Sequence, residues 1–73
     1  MALITKEDID NWFTYHPPTD SQKLSYGAIR EGAKALAPVI VKECPDSADR
    51  SAALRLLREA VMTANAAIAC KGK

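Results

Sequence analysis

Ile29, Ala33, Leu36 and Ile40 follow one another at steps of four, three and four residues, and Leu54, Leu57, Val61, Ala64 and Ile68 at steps of three, four, three and four. Spacing of this kind puts each set on one face of an α-helix, in the register of an a/d seam. The helix ends are marked by residue types that satisfy free backbone groups. Thr19, with Gln22 three residues on, reads as a capping box and predicts a helix over about residues 20–43. Pro45 stops that helix, and Asp46 or Ser47 can cap the next. This one carries Asp49 at the positive end of its dipole and runs over about residues 47–70, where the terminal "KGK" supplies a glycine stop and cations. A short helix is expected over about residues 6–13. Thr5 and Asp8 form a variant capping box, Ile4 and Ile9 stand at the two positions of a hydrophobic staple, and Pro17 with Pro18 forbids continuation.

The short connection around Pro45 makes the two long helices antiparallel neighbours. Counting outward from the turn places Ile40 near Leu54, Leu36 near Leu57, Ala33 near Val61 and Ile29 near Ala64. Pro38 lies inside the first of them. Its missing N–H predicts a kink near Lys34 rather than a stop, because the apolar pattern continues through Ile40. The expected fold is all-α: a short N-terminal helix followed by a long antiparallel helical hairpin, in one domain spanning residues 1–73.

Length adds a requirement that the pattern does not. A chain of 73 residues rarely buries enough apolar surface to be stable alone. Ala53, Ala60 and Ala67 recur every seven residues beside the main seam, as do Ala28 and Ala35 on the other helix. They offer a second face for close packing, so self-association into a homo-oligomer is expected.

Charge and cysteine content narrow the function classes. Ten basic residues against nine acids give a net charge of +1, which argues against a general duplex-DNA binder. The opening "MALITKEDID" has acids where a signal peptide needs apolar residues, and the run Ala35 to Val41 is too short for a bilayer. We expect an intracellular, soluble protein without a membrane span. Cys44 and Cys70 fall near the ends of the long helices, about 30 Å or more apart if these are antiparallel, which excludes an intrachain disulfide. A single histidine and no CxxC or CxxH pair leave no structural zinc set within one chain.

Two clusters carry candidate chemistry. The stretch "NWFTYHPP" holds three of the four aromatic residues and the single histidine, His16. Ile9, Trp12 and Phe13 can share the face of the short helix that packs on the hairpin. Tyr15 falls beyond the helix, in a segment stiffened by the prolines, where its ring can stack on a nucleobase or can pack against its own hairpin. Lys23, Arg30 and Lys34, spaced by seven and four, share a helix face that can meet phosphate or simply face water. Arg50, Arg55 and Arg58 on the last helix pose the same choice. No catalytic set accompanies them: His16 has no sequence-assigned partner, and no Gly-rich phosphate loop, GxSxG or HExxH occurs.

The segments "FTYHPPT", "AIREGAKALA", "CPDSADR" and "ALRLLREAVMTANAAIA" resemble the small phage anti-CBASS proteins, sponges that sequester cyclic oligonucleotide messengers of bacterial defence. Their hairpin domain is shared with phage sponges acting against Thoeris signalling. The resemblance spans about residues 11–69, departing at Pro38 and at Thr63, where related sequences often carry an aromatic residue. It implies a homohexamer in the cytoplasm of the infected host that binds cyclic dinucleotides such as cGAMP, and cyclic trinucleotides at a separate site, without cleaving them and without a cofactor. Carried onto this chain, the base-stacking aromatic is Tyr15 and the phosphate-binding residue is Arg30, with Lys34 as the alternative. Phe13, His16 and Thr19 flank the site, and Arg58 is assigned to the trinucleotide site. Beside this stand two other readings: a helical module that docks on a protein partner through Trp12, Phe13 and the alanine faces, and a phosphodiesterase.

Overall fold

A computed structural model describes residues 3–72. Three helices follow in order: α1 from Lys6 to Trp12, α2 from Asp20 to Glu43, and α3 from Ala48 to Ala69. Each starts at the capping residue its sequence provides. The Thr5 hydroxyl accepts from the Asp8 N–H at 3.1 Å while Asp8 Oδ2 accepts from the Thr5 N–H at 2.9 Å. Thr19 and Gln22 repeat this reciprocal pair at 3.1 and 2.9 Å. At the head of α3 Ser47, not Asp46, is the cap, accepting from the Arg50 N–H at 3.1 Å.

Asp46 serves the turn instead. Arg50, four residues on, donates Nη2 to Asp46 Oδ1 at 2.9 Å and Nη1 to the Val41 carbonyl at 3.2 Å, so one guanidinium ties the end of α2 to the start of α3. Of the three arginines of α3, this one is half-buried and structural. Helix α2 continues through Pro38 to Glu43, since one missing N–H removes one bond from a helix of six turns. The glycine stop of α3 is shared by two residues. Lys71 already adopts the left-handed region at φ 57°, followed by Gly72 at 75°, whose N–H returns to the Ala67 carbonyl at 2.9 Å.

Burial along the facing sides of α2 and α3 follows the expected seam with one shift. Ile29, Ala33 and Ile40 are half-buried, as are Leu54, Leu57, Val61, Ala64 and Ile68, but Leu36 is exposed and Ala37 takes the half-buried place. A helix turns 100° per residue, so a four-residue step from Ala33 reaches the seam better than a step of three. Leu36 instead edges a groove on one side of the seam, shared with Ala28, Gly32, Ala60 and Ala64.

What the hairpin lacks is an interior. Among the described residues only Cys70 is buried, at 9% exposure. The chain exposes 6002 Å², whereas a compact monomer of 7.9 kDa exposes roughly 4,400 Å². Its radius of gyration, 15.4 Å, exceeds the roughly 11 Å of a compact chain of this length. Two helices packed along one stripe have no second layer to cover their other faces.

Candidate functional site

Helix α1 is seven residues long, too short for its apolar residues to share a single contact. Trp12 lies over the last turns of α3, beside Thr63, Ala66, Ala67 and Cys70. Phe13, expected to pack with it on the hairpin, is 83% exposed. One residue of helix rotation separates the two rings by 100°, and the narrow end of α3 accepts only the first. Ala67 thus lies at Trp12 while Ala60 lines the open groove, so the alanine stripe of α3 serves two surfaces.

Beyond Trp12 the chain folds back on α1. Thr14 Oγ1 donates to the Asp10 carbonyl, and His16 Nε2 lies 2.6 Å from the Asn11 carbonyl. These are carbonyls of the last turn of α1, which the helix itself cannot satisfy. Tyr15, between the two anchors, packs little against its own chain: 81% of it is exposed. Asn11 also reaches outward, its Nδ2 donating to the Cys70 carbonyl over a long 3.4 Å, while Cys70 Sγ stands 4.0 Å from the Asn11 carbonyl. Nothing in the sequence pattern marked Asn11. Its signal is positional, a polar residue beside Trp12 on the turn that must face α3.

Thr19 closes the segment as the cap of α2. Its hydroxyl is engaged by the Gln22 N–H and stands 3.3 Å from Ser21 Oγ. Gln22 adds a second tie, donating Nε2 to the Ile68 carbonyl at 3.2 Å. The Tyr15 segment is therefore fixed to α1 on one side and to the start of α2 on the other, with both helices bonded to the end of α3.

The cations fall on one side of the seam, opposite the apolar groove. Arg30 and Lys34, four residues apart on α2, are exposed and adjacent on the helix surface. Lys34 also lines a shallow depression with Ala37, Leu54 and Arg58 across the seam, so the chain brings Lys34 and Arg58 to one face. Their pairing differs. Lys34 Nζ is 4.0 Å from Glu31 Oε1 and Lys23 Nζ 3.9 Å from Asp20 Oδ1, but Arg30 has no carboxylate partner among the described residues. Its guanidinium leans toward the start of α2, where a side chain at Gly27 would meet Nη2 at 3.6 Å. Within one chain no hydrogen bond or ion pair joins Tyr15 to Arg30, Lys34 or Arg58 among the described residues; each ligand-type group stands open to solvent.

Cys44 and Cys70 are free thiols at the C-caps of α2 and α3. Among the described residues no three His, Cys, Asp or Glu side chains gather as a metal set, and no helix is long and apolar enough to cross a membrane.

Neither a curated protein nor a solved structure gives a significant match to the chain. A family model does: that of the Acb2/Tad1 hairpin domain matches residues 5–69, from the cap of α1 to the end of α3. The matched segment is the whole helical unit, with the Tyr15 segment and the cationic face inside it, and the chain belongs to the Acb2/Tad1 hairpin-domain family of phage anti-CBASS and anti-Thoeris sponges.

Proposed function

We propose that this protein binds cyclic oligonucleotide second messengers in the cytoplasm of an infected bacterium and sequesters them uncleaved, so that CBASS effectors are not activated. The observation that carries the reading is the solvent-facing ring of Tyr15, 81% exposed on a segment bonded at both sides. Its stacking partner is a base of a cyclic dinucleotide such as cGAMP. Stacking on an aromatic side chain contributes about 1–3 kcal/mol per base, and a ring already held in place loses little freedom when the base arrives.

Arg30 neutralises the phosphates. Unlike Lys23 and Lys34 on the same face, it has no carboxylate partner among the described residues, and a guanidinium can bind phosphate through two parallel hydrogen bonds. Lys34, a turn further on, supports it, while Phe13, His16 and Thr19 border the base. Arg58 serves a separate cyclic trinucleotide site on the face it shares with Lys34. Duplex DNA and membranes are not partners.

The sponge acts as a homo-oligomer, a hexamer in our reading. The surface excess of roughly 1,600 Å² corresponds to two interfaces of about 800 Å² per partner. An assembly lets two protomers each contribute half a pocket, a tyrosine for each face of the ligand. It also makes affinity depend on assembly.

Calorimetry with a panel of cyclic di- and trinucleotides, followed by denaturation and identification of the released ligand, tests the proposal. Tight binding and release of intact nucleotide support a sponge. Cleaved ligand would indicate a phosphodiesterase. An oligomer that binds no member of the panel would favour the protein-docking reading through Trp12, Phe13 and the alanine faces, of which Phe13 is 83% exposed.

A further inference from the structure

Tyr15 is flanked on both sides by residues whose side chains bond back to the helix before it. Thr14 Oγ1 donates to the Asp10 carbonyl, and His16 Nε2 stands 2.6 Å from the Asn11 carbonyl. Both acceptors are carbonyls of the last turn of α1, consecutive in sequence. An exposed segment between a seven-residue helix and two prolines has few other means of holding one conformation, since it contributes no helix or sheet ladder of its own. From this geometry we infer that Thr14 and His16 are positioning residues, which fix the backbone on either side of Tyr15 and so present its ring in the orientation that accepts a base.

The acceptor side is anchored as well. Asn11 is half-buried and links to Cys70, the buried residue at the end of α3, through Nδ2 to the Cys70 carbonyl at 3.4 Å. The Tyr15 bend is thus tied through α1 to the end of α3 rather than to a freely hinged helix. The carbonyl accepts, so His16 carries its proton on Nε2. A side chain with a neutral N–H donor at similar reach can replace it.

This inference rests on Tyr15 as the base-stacking residue for its binding consequence, but not for its structural one. If the bend is pre-set, loosening it lowers the fraction of protein ready to bind. The association rate falls in proportion to that fraction, while the complex, once formed, keeps its contacts and its dissociation rate. Removing the tyrosine ring itself does the opposite, raising dissociation.

The experiment uses the full chain labelled with 3-fluorotyrosine, which places one probe at Tyr15 and a second at the half-buried Tyr26 of α2 as an internal reference. In the ligand-free protein, Thr14→Val and His16→Ala should raise ¹⁹F mobility at Tyr15 and leave Tyr26 unchanged, with His16→Gln restoring the wild-type signal. With cGAMP as the probe, Thr14→Val, whose residue lies outside the set that borders the base, should associate about tenfold more slowly if the competent fraction falls to a tenth, at unchanged dissociation rate. Unchanged Tyr15 mobility in both variants would overturn the inference, as would loosening of both tyrosines together. A loosened Tyr15 in a protein whose wild type binds no cyclic nucleotide would uphold the positioning role and defeat the proposed function, so the two failures are distinguishable.

Discussion

Gln22 spans the open end of the hairpin: its Nε2 donates to the Ile68 carbonyl at 3.2 Å while its Oε1 accepts from the Thr19 N–H at 2.9 Å. One amide therefore closes the N-terminus of α2 and holds it to the last turn of α3. Arg50 performs the equivalent service at the other end, between the Val41 carbonyl and Asp46. With so little buried apolar surface along the seam, these polar ties at its two ends set which helix faces meet.

Replacing Gln22 removes both of its bonds. A lost capping partner costs about 1 kcal/mol and a lost part-buried hydrogen bond a further 0.5–1.5 or so, so Gln22→Ala should destabilise the fold by about 2 kcal/mol. Gln22→Glu keeps the acceptor for Thr19 and loses the donor to Ile68, so it should fall between the two. Urea denaturation at one fixed protein concentration measures the order.

Tyr15→Ala should leave folding and assembly unchanged, because the ring touches little of its own chain, and should weaken cyclic dinucleotide binding by at least about fivefold, the low end of what one stacked base is worth. Tyr15→Phe should retain most of the affinity. Calorimetry beside sedimentation separates the two effects, and wild-type affinity in the alanine variant would remove Tyr15 from the site.

Arg30 and Lys34 differ in what holds them, and their variants should differ accordingly. Arg30→Ala should reduce affinity and flatten the dependence of binding on salt, since a phosphate contact is lost. Lys34→Ala also frees Glu31, so part of its effect is an unpaired carboxylate on the same face, which Glu31→Gln would relieve. Titrations across a range of salt concentrations decide between them; an unchanged slope in Arg30→Ala would move the phosphate contact elsewhere.

How far the sequence led depends on the kind of interaction. Helix limits were legible to within a residue or so, because Thr5, Thr19, Ser47 and Pro45 act on backbone groups within four positions of themselves. That Ala33 and Val61 fall at the same depressions between α2 and α3 was legible because a short turn fixes the count. Leu36 and Phe13 were misread for one reason: each lies a single residue from a seam position, and 100° of rotation is decided by packing partners far along the chain. Asn11 could not be found at all from pattern, since its value lies in the Cys70 carbonyl at the other end of the chain. The unpaired state of Arg30 and the exposure of Tyr15 likewise needed coordinates, whereas their place in the site came from the family resemblance.

Assembly makes the strongest prediction about stability. A hairpin with one buried residue among those described, and a surface excess of roughly 1,600 Å² over a compact monomer, is expected to draw much of its stability from partner copies. If partner copies cover that surface, folding and association are one reaction, and stability depends on protomer concentration. The melting temperature should rise steadily over an about 100-fold increase in protein concentration, and sedimentation should find no folded monomer at the dilute end. Gly32 offers a sharper form of the test. Nothing lies within 4 Å of where its side chain would start, so in an isolated hairpin Gly32→Ala would add about 1 kcal/mol of helix stability. Gly32→Leu should likewise be tolerated by the lone hairpin, yet it would obstruct a copy seated in the groove that Gly32 shares with Ala28 and Ala60. Dissociation of the assembly in Gly32→Leu, with a lowered melting temperature, is the expected result. A concentration-independent melting temperature in the wild type would mean that the hairpin stands alone and that each Tyr15 meets its ligand without a second protomer.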